Sequence, residues 1–180
     1  KSYLTTINRQ IKDIENLVNE FSSFARMPSP IFKKIEIYTV VKRAVDFYKM
    51  SSENEISLSS NNKKNLINGD DEQLYRVFIN LIKNSEDSID ERKEKNKLFK
   101  GKIIIEIKAD KEYINISLAD NGVGIKDTSK IMTPYFTTKK EGTGLGLPIV
   151  SKIINEHKGE LTIGNNKPGA KVLILVPKIN

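Results

Sequence analysis

Asp120 closes an apolar run and is followed by Gly122 and Gly124, and further on the chain reads Gly142-Thr143-Gly144-Leu145-Gly146-Leu147. A carboxylate at a strand end can accept a hydrogen bond from an exocyclic amine, and backbone free of side chains lets a ring or a phosphate approach closely. The segment 145–157 has helical apolar spacing, and its N-terminus would favour phosphate oxygens. These residue types in this order suggest nucleotide binding. An ordinary strand-end turn would account for Asp120-Asn121-Gly122 alone, so the surroundings must decide. Asn80 and Asn84, one helical turn apart, can present two amide oxygens in one direction. Hard oxygens of that kind suit Mg²⁺, whose shell substrate phosphates commonly complete, although two polar residues on a wet helix face are the plain alternative.

Periodicity outlines the elements that must position these groups. Leu4, Ile7, Ile11, Ile14, Val18 and Phe21 form a heptad seam, widened by Leu17 and Phe24, that needs a partner helix or the domain that follows. Met27-Pro28-Ser29-Pro30 ends that helix, because proline lacks a donor and restricts its predecessor. A strand is expected over 34–38, then a helix with the stripe Val40, Val41, Ala44, Val45, Phe47 and Tyr48. Brief strands follow at 55–59 and 65–67. Asp70 or Asp71 caps a long helix whose apolar face runs from Leu74 through Phe78, Leu81 and Ser85 to Ile89, with Arg76, Asn80, Asn84 and Asp87 aligned along one edge. The stretches 102–108 and 113–119 read as an antiparallel pair turning near Asp110-Lys111. Residues 127–142 are long enough for a functional lid, rich in Thr and Lys, with Pro134-Tyr135-Phe136 as its apolar anchor. Gly159 is expected to cap the helix 145–157, and strands at 160–164 and 170–176 follow, joined by a turn over 165–169.

The 180 residues, 38% hydrophobic, suffice for one domain and an appendage. With 30 basic against 23 acidic residues the net charge is +7, which raises nucleic acid or an anionic membrane surface as partners. The charge is dispersed, however, and its densest run, Glu91-Arg92-Lys93-Glu94-Lys95-Asn96-Lys97, mixes signs. Without cysteine there is no disulfide or thiolate metal site, and no apolar run approaches the roughly eighteen residues of a membrane span.

Four segments, Asn80-Leu81-Ile82-Lys83-Asn84, Asp120-Asn121-Gly122-Val123-Gly124, Pro134-Tyr135-Phe136-Thr137-Thr138-Lys139 and Gly142-Thr143-Gly144-Leu145-Gly146-Leu147, stand in the order and near the spacing of the four boxes of bacterial sensor histidine kinases. The chain resembles that family over nearly its whole length. The resemblance implies an α+β domain over 34–180 with the Bergerat fold of GHKL proteins, an ATP-binding α/β sandwich of a mixed sheet with helices on one face. It also implies that 1–27 is the second helix of the dimerisation and histidine-phosphotransfer hairpin, joined through the linker 28–33. The stretch from Glu20 to Pro28, together with PYFTTK and TGLGLPIV, most resembles the nitrogen-regulation NtrY type.

Carried over by position, the resemblance implies Mg²⁺-ATP as cofactor, with Asn84 as metal ligand and Asn80 beside it facing the phosphates. Asp120 would accept from the adenine amine, and Gly122 and Gly124 would admit the backbone's close approach. Gly142, Gly144 and Gly146 would shape the lid hinge and phosphate turn, accompanied by Thr138 and Thr143, with Leu145 and Leu147 as core residues. Lys139 and Lys140 would neutralise phosphate charge. Partners implied are a second copy, through the intact hairpin, and the receiver domain of a response regulator, with no nucleic acid. The setting implied is the cytoplasmic part of an inner-membrane kinase, touching the membrane only through segments outside this chain.

Two departures accompany the match. Relatives commonly carry a basic residue where this chain has Asp87, so Lys83 or the lid lysines are expected to compensate there. The sole histidine, His157, reads as a helix-end or surface residue rather than the phosphoacceptor. The chain is therefore expected to bind ATP without phosphorylating itself. Two rivals remain: a GHKL ATPase module like gyrase B, Hsp90 or MutL, which would want a glutamate base where Asn80 stands, and a non-catalytic basic interaction module.

Overall fold

The structure, a computed structural model, describes residues 4, 6–8, 11–12, 14–15, 18, 22, 27–62, 64–137, 139 and 142–179. Its elements run β1 (Lys33–Glu36), α1 (Ile37–Lys49), β2 (Glu55–Ser60), β3 (Leu66–Gly69), α2 (Asp71–Lys95), β4 (Lys102–Ala109), β5 (Tyr113–Asp120), α3 (Gly146–Glu156), β6 (Glu160–Asn165) and β7 (Ala170–Pro177). Strands β2-β4-β5-β7-β6 form one five-stranded sheet, and β1 pairs with β3 in a separate ribbon. Only the β2–β4 pair is parallel, so the main sheet is mixed. A parallel pair needs a crossover, and α2 lies in the one between β2 and β4.

Alternation decides which face of the sheet is covered. Ile103, Ile105 and Ile107 on β4, Ile114, Ile116 and Leu118 on β5, and Val172, Ile174 and Val176 on β7 are buried, while their in-between neighbours are not. Against that face lie the apolar stripes of the helices: Ile37, Val40, Val41, Ala44 and Val45 of α1, Leu74 through Ile89 of α2, and Ile149, Val150, Ile153 and Ile154 of α3. Each isoleucine so buried contributes about 1.5–3 kcal/mol. Asp120 follows Leu118 at the same period of two, so the register that fills the core also carries a carboxylate under the helices.

Asp70 is the cap of α2, its Oδ1 accepting from the N–H groups of Glu72 and Gln73 at 3.1 and 3.0 Å. Acidic residues in the first turn and basic ones in the last complement the helix dipole. The strand expected over 34–38 stops at Glu36. Ile37 and Tyr38 are helical, because Ile37 opens the stripe that continues at Val40 and Val41. Phe47, expected in that stripe, is exposed. Tyr48 takes the inward position instead, and its hydroxyl donates to Ile79 O.

The C-terminus of α3 is closed differently from the expectation. Lys158, at φ +57°, takes the left-handed position, and the bonds Gly159 N–H to Ile154 O and Lys158 N–H to Asn155 O complete a Schellman turn. Gly159 is needed because a β-carbon there would stand 2.7 Å from Leu175 O. His157 is a helix-end residue as expected but not a surface one. It is 5% exposed, Nδ1 bonds Ile153 O at 2.7 Å, and Nε2 accepts from Asp70 N–H at 2.9 Å. Within the N-terminal seam, Leu4, Ile7, Ile11, Ile14 and Val18 are helical and exposed, while Leu17, Phe21 and Phe24 lie outside the described residues.

Candidate nucleotide-binding site

Asp120 is 7% exposed and receives hydrogen bonds from three parts of the chain. Oδ1 accepts from Gly122 N–H at 2.9 Å and from Ala170 N–H of β7 at 3.3 Å, and Oδ2 accepts from the Ser85 hydroxyl of α2 at 3.3 Å. Burial pushes its carboxyl above the ordinary carboxylate value, and these donors, with the Lys139 charge, pull the other way. Among the described residues Oδ2 has that one long bond, which leaves acceptor capacity for an amine. An anionic acceptor fixed in a dry setting suits a base that presents N–H groups.

The turn after Asp120 is fitted to α2 backbone to backbone. Val123 N–H reaches both the carbonyl and the hydroxyl of Ser88, and a β-carbon at Gly122 would stand 2.3 Å from Ser88 Oγ. Arg92, lying over Phe99 at 4.3 Å, donates to Asn121 O at 2.6 Å and Gly122 O at 3.2 Å. Gly124 follows, and next to it Ile125 is pinned by Asn165 through bonds of 2.7 and 2.9 Å.

At the other end, α3 begins at Gly146 with no side-chain cap hydrogen bond, so its first turn carries N–H groups that no capping side chain satisfies. The β-carbon position of Gly146 is 3.7 Å from Asn80 Oδ1, which sets the amide of α2 against the N-terminus of α3. Leu145 is fully buried and Leu147 packs against the core, as expected of both. Gly144 accepts from Tyr135 N–H at 3.2 Å, Thr143 Oγ1 accepts from Leu145 N–H at 3.4 Å, and Gly142 lies against Thr137. Within the expected lid anchor only Phe136 is partly buried, while Pro134 and Tyr135 are exposed, and backbone bonds from Tyr135 N–H to Gly144 O and from Phe136 N–H to Thr133 O help attach it. Lys139 Nζ bonds Asn84 Oδ1 at 3.0 Å and Asp87 Oδ2 at 2.7 Å. Thr138 and Lys140 lie outside the described residues.

The structure thus places Asn80 and Asn84 on α2, Asp120 at the end of β5 and Gly146 at the head of α3 around one region. It adds residues that the sequence reading did not single out: Ser85, Ser88, Arg92, Asn165 and Gly169. Ser85 alone left a signal, as the one hydroxyl in an otherwise apolar stripe.

Residues 69–180 match the model of the histidine kinase-, DNA gyrase B-, and HSP90-like ATPase family. The chain belongs to that family. A putative NtrY-like sensor histidine kinase of Rickettsia felis is 36% identical over 176 residues, covering 96% of this chain and 28% of the relative. The catalytic domain of histidine kinase ThkA superposes with a TM-score of 0.72 at 25% identity, over 82% of this chain and 96% of that one. The fold also matches histidine kinase ThkA in complex with response regulator protein TrrA, with a TM-score of 0.72 at 22% identity, over 99% of this chain and 51% of that one. The mixed sheet covered on one face is the GHKL fold, and the chain is similar over most of its length to the catalytic parts of these sensor histidine kinases. It spans 28% of the length of that Rickettsia felis relative.

Proposed function

We propose that the chain holds Mg²⁺-ATP with the adenine amine at Asp120 and the phosphates between Asn80, Asn84 and the head of α3. In the intact protein the γ-phosphoryl would pass to a histidine outside this chain and then to an aspartate of a response regulator. The observation that carries this reading is the buried, still receptive carboxylate of Asp120 on the strand beside α2. Bound Mg²⁺ would supply charge neutralisation at the phosphates, with Asn84 Oδ1 as its amide ligand. The chain's residues contribute position: Gly122 and Ser88 fix the base end, and Asn80 and the N–H groups of α3 orient the phosphates. Asn80 is an amide and so no general base, which disfavours steady hydrolysis of the gyrase kind.

The division into a dimerisation helix over 1–27, a linker over 28–33 and the catalytic domain over 34–180 belongs to the same proposal. It is supported by the exposure of Leu4, Ile7, Ile11, Ile14 and Val18, a seam suited to a second copy. No described helix is long and apolar enough to cross a membrane. An inner-membrane setting of the intact kinase belongs to the same proposal.

Calorimetric titration of ATP, with and without Mg²⁺, tests the site. Asp120→Asn should weaken ATP by about ten- to a hundredfold, the worth of a hydrogen bond to a charged group. Asn84→Ala should abolish most of the Mg²⁺ dependence. Unchanged binding in both variants would overturn the assignment.

A further inference from the structure

Lys139 comes from the connection between β5 and α3, far along the chain from α2, yet its ammonium lies between two oxygens of that helix. Asn84 Oδ1 is 3.0 Å away and Asp87 Oδ2 2.7 Å. Asp87 and Lys139 are each 38% exposed in their side chains. An exposed ion pair is worth only about 0–1 kcal/mol, so the contact says little about stability. It says more about chemistry. A compact cation is held by one amide oxygen and one carboxylate oxygen on adjacent turns of a rigid helix, and these are hard donors of the kind Mg²⁺ takes. Mg²⁺ is typically bound through one or two carboxylates plus substrate phosphates, and Asn84 alone provides no carboxylate. Asp87 provides it. Among the described residues no group of three or more acidic or histidine side chains competes as a metal cluster.

We propose that Asp87 is a second protein ligand of the divalent cation, beside Asn84, and that the Lys139 ammonium holds this seat until the cation arrives with the nucleotide. The inference rests on the reading of Asn84 given above. Cation and lysine exchange places: the metal takes the two oxygens that the Lys139 ammonium gives up. An acidic residue at this point of α2 therefore adds to the metal site, where a basic one would have met phosphate directly.

The ratio of ATP dissociation constants in EDTA and in Mg²⁺, measured on this chain by calorimetry, reads the coupling. Mn²⁺ paramagnetic resonance in the presence of ADP reads the cation directly. Asp87→Asn should lower the ratio and the Mn²⁺ affinity by about tenfold or more, the range expected when a metal site loses a supporting group. Lys139→Met should leave the ratio unchanged or raise it, since a competitor is gone. A ratio kept in Asp87→Asn but collapsed in Asn84→Ala would overturn the proposal and leave the site reading intact. Equal losses in Asp87→Asn and Lys139→Met would also overturn it, because the effect would then run through the lysine contact. A ratio unmoved by Asn84→Ala would sink the reading of Asn84, and this inference with it.

Discussion

At one end of the site Asp120 is buried and bound by a loop N–H, a neighbouring strand and a helix hydroxyl. At the other, Lys139 reaches through solvent to two side chains of α2. The proposed base end is fixed by the same packing that holds the sheet to the helices, so its geometry exists before any ligand arrives. At the proposed phosphate end the lid is tied to α2 by exposed polar contacts of low net worth, so a ligand can rearrange them at little cost. Binding sites for a rigid ring and a transferable phosphate have reason to differ in this way: one needs a fixed acceptor, the other needs groups that can change partners.

The strongest attack on the base end is at Gly169. Its φ is +95°, and a β-carbon there would stand 2.0 Å from Asp120 O, backbone against backbone. No rotamer change relieves such a contact. Gly169→Ala is expected to destabilise the domain by about 3 kcal/mol or more, combining overpacking with a left-handed backbone that alanine resists. Thermal denaturation should show a fall of about 6–12 °C. An unchanged melting temperature would mean that the turn over 165–169 gives way freely, and the contrast between the ends would lose its basis.

Asp120→Asn sharpens the comparison by separating stability from binding. Burial raises the Asp120 carboxyl above its ordinary value, so the folded state binds that proton more tightly than the unfolded chain. Its favourable contribution is complete below the ordinary carboxylate value and is lost as pH rises through the raised one. Near neutrality the buried charge is a cost that asparagine removes. The oxygen of the introduced amide can still accept from Gly122 and Ala170, so the variant should melt at or above the parent temperature at pH 7. That advantage should shrink on acidification through the carboxylate range, while nucleotide affinity is reduced at neutral pH. A variant less stable than the parent at pH 7 would show that the donors outweigh the cost of burial.

Motif order made the family legible in the sequence, and period-two alternation made β4, β5 and β7 legible with it. The proposed roles of Asn80, Asn84, Asp120 and Gly146 needed only local pattern and position along the chain. Ser85, Arg92, Asn165 and Gly169 acquire their roles from contacts across long sequence separations, such as Arg92 with Asn121 and Asn165 with Ile125, which no local window contains. The β1 boundary was misread because Ile35 and Ile37 alternate like a strand while Ile37 also begins a helical stripe. His157 sits at a helix end, where histidine is usually solvated, and only the approach of Asp70 and Phe32 buries it.

The smallest effect is expected at the phosphate end, where Lys139→Met removes both bonds to α2. Neither partner is buried enough to leave a desolvated charge behind, and Asp87 and Asn84 regain water on losing the ammonium. The melting temperature should therefore stay within about 2 °C of the parent, the scale of an exposed ion pair. Hydrogen exchange should respond more than stability does, with faster exchange confined to the lid around residues 133–139, because the Lys139 side chain ties the lid to α2. A large thermal loss would place Lys139 among the groups that hold the fold and would make the two ends alike. Faster exchange spreading into α2 or β5 would do the same, since it would mean that the base end depends on the lysine for its order.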